Sequence, residues 1–358
     1  MTRVALLGAT GSIGRQALEI IETHSDLELC AAMSGTRPCD DVIVAHPDAL
    51  AQVGGDPTRL LEAAEPDVVL NAIVGFAGIR ATLWALEHGV TLALANKESL
   101  VAGGALARAA HERGGGLLIP VDSEHSAIYQ CLEGRAADAV DSLVLTASGG
   151  PFRGRTREEL FAVTVDEALA HPTWAMGRKI TVDSSTLANK GLELIEAHWL
   201  FGVAYEDIEV VVHPTSIVHG IVRFRDGAAL AHIGYPDMRV PISFALTYPA
   251  RAKTPVPALD LAAGLTLSFE APDLDAFPLL RLAREAGVRG DSYPCAYNAA
   301  NEVAVAAFLD GRASFLEIAD TVETTLDQVE GAAAGTLEEL VAADEEARRI
   351  AERRLVAA

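Results

Sequence analysis

Apolar residues fall in short runs that alternate with amphipathic stretches over the first third of the chain. Arg3-Val-Ala-Leu-Leu7 reads as a buried strand, and the stretch 15–23 after it carries Leu18 and Ile21 on one helical face. Further strands are expected at 27–33, 67–74, 91–95 and 116–121, with helices near 79–88 and 102–113 between them. Parallel strands need helical crossovers, so the alternation predicts an α/β fold, a Rossmann-type doubly wound parallel sheet. From about residue 140 the pattern becomes α+β, with strands at 142–146, 208–213, 217–224 and 228–233 and a short helix at 157–161. Arg225-Asp226-Gly227 joins the last two strands as a hairpin turn. The stretch 249–278 is Pro-rich and aperiodic, as a linker is, and helical patterns at 277–285, 297–309, 315–329 and 337–356 predict a small bundle. The expected organisation is a dinucleotide-binding domain at 1–122, an α/β domain at 123–248, a linker at 249–276 and an α-helical domain at 277–358.

Composition narrows the partners. The chain has 358 residues, half of them hydrophobic, and a net charge of −22, which argues against nucleic acid or an anionic membrane surface. No apolar run approaches the ~20 residues of a membrane span, and the start lacks a signal or transit pattern. Cys30, Cys39, Cys131 and Cys295 are scattered without a CxxC pair, the usage of reduced thiols in a cytoplasmic protein.

After the first strand, Gly8-Ala9-Thr10-Gly11-Ser12-Ile13-Gly14 opens a helix. Free N–H groups and the helix dipole at such a turn suit a pyrophosphate, although the spacing is GxxGxxG and an ordinary glycine turn would carry it too. Where an NAD enzyme places an acid after the second strand, this chain has Ser34-Gly35-Thr36-Arg37. Arg37 can pair with a 2′-phosphate, which favours NADP(H), or it is a plain surface arginine.

Three carboxylates in two segments suggest a metal: Asp122 and Glu124 in Pro120-Val-Asp-Ser-Glu-His125, and Glu193 in the stretch from Asp183. Alternation at a strand's end would point Asp122 and Glu124 the same way. Unit charges about 4 Å apart repel by roughly 4 kcal/mol at a dielectric near 20, so a clustered triad holds a proton or a cation. Hard oxygen donors favour Mg²⁺ or Mn²⁺, with Co²⁺ also feasible. A solvated acidic turn plus a helix glutamate fits the spacing equally well.

Of 28 Lys and Arg residues only four are Lys, and Lys97, Lys179 and Lys190 lie within the chemistry-bearing segments. A compact ammonium suits a phosphate or a polarised oxygen. The stretch His171-Pro-Thr-Trp-Ala-Met-Gly177 places Trp174 and Met176 between Pro172 and Gly177, as in a lid that closes over something, or as core packing. His171 is the foremost histidine candidate, ahead of His125 and His219.

Seven strings in order resemble the 1-deoxy-D-xylulose 5-phosphate reductoisomerase family over essentially the whole chain: 8–14, 95–101, 120–125, 146–152, 171–179, 182–193 and Asn-Ala-Ala-Asn-Glu-Val-Ala-Val at 298–305. The resemblance implies a metal held by Asp122, Glu124 and Glu193, and substrate oxygens contacted by Ser123, Lys97 and Asn189. It implies a substrate phosphate bound by Ser148, Ser184, Asn189 and Lys190, with Ser184 read as the N-cap of the helix carrying Glu193. Trp174 would cover the substrate, and Met176 and Gly177 would lie near the nicotinamide. The NADPH contacts implied are Thr10, Gly11, Ser12, Ile13, Gly35, Arg37, Ala72, Asn96, Lys97 and Glu98. The catalytic set is Lys97, Glu124 and His171, with Glu124, His171 and Glu193 also touching the substrate. The implied reaction is rearrangement of 1-deoxy-D-xylulose 5-phosphate, by retro-aldol cleavage and recombination, then hydride reduction to 2-C-methyl-D-erythritol 4-phosphate in a cytoplasmic homodimer. Another NADP-linked dehydrogenase for a small phosphorylated or carbonyl substrate, or an NADPH-sensing module, would explain the first domain but leave the carboxylates without a use.

Overall fold

Six parallel strands make the first sheet of the computed structural model, which describes residues 1–357. They are β1 (Thr2–Leu7), β2 (Leu27–Ser34), β3 (Leu50–Val53), β4 (Val68–Asn71), β5 (Thr91–Leu94) and β6 (Leu118–Pro120), in the order β3-β2-β1-β4-β5-β6. The order reverses between β1 and β4, so a crevice opens at their carboxyl ends. Strand residues Val4, Leu6, Leu70, Ala93 and Ile119 share a core with Ala17, Ile20 and Ile21 of the helix Ser12–Thr23. A helix not foreseen from the pattern, Arg239–Thr247, adds Ile242, Phe244 and Leu246 to that core, and Arg239 pairs with Glu19 at 2.9 Å. The first compact unit is Met1–Ser99, Leu106–Gln130 and Asp237–Leu259; the second takes Leu100–Ala105, Cys131–Pro236 and the residues from 260 on.

The second unit holds β7 (Val140–Ala147), β8 (Ile208–Val212), β9 (Val218–Phe224) and β10 (Ala229–Ile233) in the order β10-β9-β7-β8. β7 and β8 run parallel, β9 is antiparallel to β7, and β9 and β10 form the expected hairpin, with Gly227 at φ 87°. Four helices follow at Leu279–Arg289, Tyr293–Leu309, Phe315–Gln328 and Leu337–Ala357. Tyr293–Leu309 is apolar nearly all round and lies at their centre, with Tyr297 and Phe308 buried. A Cβ on Gly191 would stand 2.6 Å from the Ala283 Cβ, so the helices Ala188–Phe201 and Leu279–Arg289 meet where the side chain is smallest. The Pro-rich stretch carries a short turn at Leu261–Ala263 and one bridge from Glu270 to Val212, and it is divided at Leu259/Asp260 between the two units. Among the described residues no helix is long and apolar enough to cross a membrane.

Candidate functional site

In the first unit the glycine turn leaves β1 with its backbone packed closely on its neighbours. Gly8 has φ 91°, and a Cβ there would stand 2.4 Å from the Ala72 carbonyl oxygen at the end of β4. A Cβ on Gly14 would stand 2.3 Å from the Gly8 carbonyl oxygen. Gly11 is the N-cap of Ser12–Thr23, and no side chain or first-turn acid occupies its N–H groups. A bare helix start beside a closely packed backbone fits a pyrophosphate. Thr10 and Ile13 are half-buried, and Gly11 and Ser12 are exposed.

Neighbouring strand ends complete the edge. Asn96 follows β5, caps the helix Lys97–Gly114 through Ser99 N–H, and donates to the Ile73 and Gly75 carbonyls at 2.6 and 2.8 Å. That ties Asn96, and Glu98 to which it also donates at 3.3 Å, to the loop behind Ala72. After β2, Ser34 Oγ donates to the Arg37 carbonyl, which shapes the turn and leaves Gly35 and Arg37 exposed. The expected nucleotide contacts of this unit thus gather at the carboxyl ends of β2, β1, β4 and β5.

The first two acids sit past β6, though not as alternation predicts. β6 ends at Pro120, and Asp122 starts a helix: its carbonyl accepts from Ser126 N–H at 2.8 Å, and its Oδ1 accepts from Glu124 N–H at 3.2 Å. Glu124 is therefore in a helical first turn, and capping rather than strand pleat holds the pair. Asp122 Oδ1 also meets His125 Nδ1 at 2.9 Å, and its Oδ2 accepts from Lys97 Nζ at 2.6 Å. Ser123 Oγ donates to Glu124. The histidine ranked lower from sequence, His125, is fully buried and orients the Asp122 carboxylate.

In the second unit, β7 runs into Ser148-Gly149-Gly150, both glycines at positive φ. Ser148 Oγ lies 3.0 Å from His171 Nε2, and the same nitrogen lies 3.1 Å from Ser184 Oγ. His171 Nδ1 accepts from the N–H groups of Thr173 and Trp174, at 3.1 and 2.9 Å. An Nδ1 that accepts leaves the ring proton on Nε2, where it is donated to a serine. Burial lowers the His171 pKa, which keeps the ring neutral. The 171–177 stretch is irregular, with Trp174 and Met176 half-buried and Gly177 exposed, so it is not core. Trp174 packs edge-on to His219 at 6.3 Å, and burial lowers that histidine's pKa to about 4.

Ser184 does not cap the helix of Glu193. It sits in the last turn of a separate helix, Arg178–Ser185, and Leu187 at φ 61° divides this from Ala188–Phe201. A left-handed leucine costs on the order of 1–3 kcal/mol and redirects the chain within three residues, which no spacing rule revealed. Asn189, Lys190 and Glu193 share a face of the second helix: Asn189 Nδ2 and Lys190 Nζ both donate to the Glu193 carboxylate, and Lys190 and Glu193 are buried. A buried hard-oxygen donor with a cation against it suits a site that exchanges charge with a divalent ion, and half-buried Asp122 is paired with Lys97 in the same way. If the 171–177 stretch closes over substrate, Trp174 fluorescence in a Trp84→Phe, Trp199→Phe background should respond to substrate more than to NADPH. Trp174→Ala should then weaken substrate binding by about 1–3 kcal/mol; a silent Trp174 would remove the lid.

In the first unit a glycine-turn nucleotide edge, and in the second a buried acid-lysine pair and a serine-histidine cluster, each fit a nucleotide-dependent oxidoreductase for an anionic substrate. Profiles described as 1-deoxy-D-xylulose 5-phosphate reductoisomerase match residues 4–52 and 51–104, and those of its C-terminal domains match 118–201 and 233–350. The chain is 51% identical to the 1-deoxy-D-xylulose 5-phosphate reductoisomerase of Leifsonia xyli, covering 99% of this chain and 98% of that one. It is 48% identical to that of a Geobacillus strain, over 98% of both. A solved reductoisomerase in complex with NADPH, fosmidomycin and magnesium superposes with a TM-score of 0.93 at 37% identity, over 99% of this chain and 98% of that one. The Zymomonas mobilis enzyme in complex with NADPH gives 0.90 at 41% identity over the full length of both. The chain belongs to the 1-deoxy-D-xylulose 5-phosphate reductoisomerase family.

Proposed function

We propose that this chain converts 1-deoxy-D-xylulose 5-phosphate to 2-C-methyl-D-erythritol 4-phosphate with NADPH and Mg²⁺ or Mn²⁺. The observation that carries the reading is the pairing of acids with buried lysines, half-buried Asp122 with Lys97 and buried Glu193 with Lys190, in a chain that uses only four lysines. We assign Asp122, Glu124 and Glu193 as the ligands of one divalent ion. When bound, the ion supplies a Lewis acid for the substrate's ketone and adjacent hydroxyl, and NADPH supplies the hydride. Lys97 balances Asp122, and Ser123 and Asn189 orient the substrate's oxygens.

The substrate phosphate is assigned to Ser148, Ser184, Asn189 and Lys190. His171 Nε2–H donates between the two serines, so their hydroxyl protons are free to turn toward a phosphate. Its Nδ1, held by Thr173 and Trp174 N–H, ties phosphate binding to the order of the 171–177 stretch. That stretch excludes water, and phosphate binding contributes the energy that orders it. The first unit holds the nucleotide along Thr10 to Ile13, Ala72, Asn96 and Glu98, with Met176 and Gly177 toward the nicotinamide. A homodimer in the cytoplasm completes the reading; four free thiols and the family resemblance support it.

NADPH oxidation should require both 1-deoxy-D-xylulose 5-phosphate and a divalent ion. No oxidation with both present would overturn the reading. Arg37→Ala should raise the NADPH KM with little effect on NADH use, narrowing the preference by about 1–3 kcal/mol for a lost charge-assisted contact. An unchanged preference would mean that another residue reads the 2′-phosphate.

A further inference from the structure

Lys97 and Lys190 face carboxylates used in the proposed reaction; Lys179, the third lysine of the conspicuous segments, does not. It lies in the first turn of Arg178–Ser185, directly after the 171–177 stretch. Its Nζ is 2.9 Å from Asp183 Oδ2, one turn further on. Asp183 Oδ1 accepts from Asn301 Nδ2 at 2.8 Å, and Asn301 lies in the middle of the buried helix Tyr293–Leu309. The Asp183 side chain is 1% exposed, while that of Lys179 is 21% exposed.

This pair runs against the helix dipole, with the cation in the first turn and the anion toward the end. Helix stability alone therefore does not account for it. The short helix is instead tied at three levels. At its start, Thr181 Oγ1 donates to the Gly177 carbonyl at 2.8 Å, the last residue of the irregular stretch. Toward its end, Asp183 is fixed to the bundle by Asn301. Immediately after Asp183, Ser184 meets His171 Nε2 at 3.1 Å. Gly150, from the Ser148 turn, packs on the same end: a Cβ there would stand 2.9 Å from the Ser184 carbonyl oxygen.

We propose that Asp183, tethered by Asn301, is a positioning residue for the substrate phosphate. It fixes the rotation of Arg178–Ser185 so that Ser184, His171 and Ser148 converge, and it holds Lys179 at the foot of the 171–177 stretch. Lys179 is the lever of this arrangement, because its ammonium links the stretch's end to a carboxylate anchored in the bundle. The inference rests on the assignment of Ser148, Ser184 and His171 to the phosphate.

The test uses full-length Lys179→Met, Asp183→Asn and the double variant, with steady-state kinetics, inorganic phosphate as a competitive inhibitor, and thermal melting. Each single change should raise the substrate KM about tenfold and weaken phosphate inhibition by a similar factor, with the NADPH KM close to that of the unaltered chain; Lys179→Met, which leaves the buried Asp183 carboxylate uncompensated, should also lower the Tm. The double variant should be no worse than either single one, and Lys179→Arg should restore the KM. Multiplying effects in the double variant, or a lowered Tm with unchanged KM and phosphate inhibition, would overturn the proposal. Should Asp183→Asn not fold, the contrast between Lys179→Met and Lys179→Arg decides alone. An unaltered chain without turnover on 1-deoxy-D-xylulose 5-phosphate would instead remove the functional reading beneath it.

Discussion

Glu193→Gln should abolish turnover while NADPH binds as before. The side chain is fully buried, in the second unit, and accepts from Asn189 and Lys190. Glutamine keeps its shape and loses its charge, and a hard ion held by three carboxylates loses a third of its ligand charge. Lewis-acid stabilisation of several kcal/mol then disappears, which corresponds to a fall in kcat on the order of a thousandfold. Glu124→Gln and Asp122→Asn should behave alike. In Asp122→Asn the oxygen that caps the helix at Glu124 N–H survives, so lost activity would report the charge and not the fold. Full activity in any two of the three would take the triad out of the reaction, whereas lost NADPH binding would mean that the changes reach the nucleotide edge.

The second large effect is on stability. Lys190 is 4% exposed and its ammonium donates to Glu193, itself without exposure. Lys190→Met leaves a buried carboxylate uncompensated, a change that costs about 3–5 kcal/mol where one partner of a buried pair is removed. For a chain of this size that is a fall in Tm of roughly 5 °C. Mn²⁺ should return part of the loss, because an ion bound by the folded state stabilises it by mass action. The substrate KM should rise as well, through the lost phosphate contact. An unchanged Tm would mean that the pair contributes nothing in solution.

Much of this was legible from residue order because it rests on local rules. The alternation of apolar runs gave the parallel sheet, and Gly8, Gly11 and Gly14 lie where close backbone packing and a bare helix start require them. The hairpin at Asp226-Gly227 follows from turn chemistry. What stayed hidden depends on backbone geometry that periodicity does not carry. Asp122 ends a strand by capping a helix, so Glu124 is placed by a turn and not by the pleat. Ser184 ends one helix because Leu187 adopts a left-handed conformation rare for leucine. The helix Arg239–Thr247 contains Pro241 and follows a Gly-Tyr-Pro turn, and its apolar residues found a place only on the first unit's core. Asp183 and Asn301 lie 118 positions apart, and only the fold pairs them.

The central claim is that Asp122, Glu124 and Glu193 together hold one divalent ion. Crystals of the full chain grown with Mn²⁺ and measured at the manganese edge test it directly. The account predicts one anomalous peak, with a carboxylate oxygen from each of the three residues at about 2.1 Å, and its loss in Glu193→Gln. A peak held by Asp122 and Glu124 without Glu193, or one seated elsewhere, would contradict it.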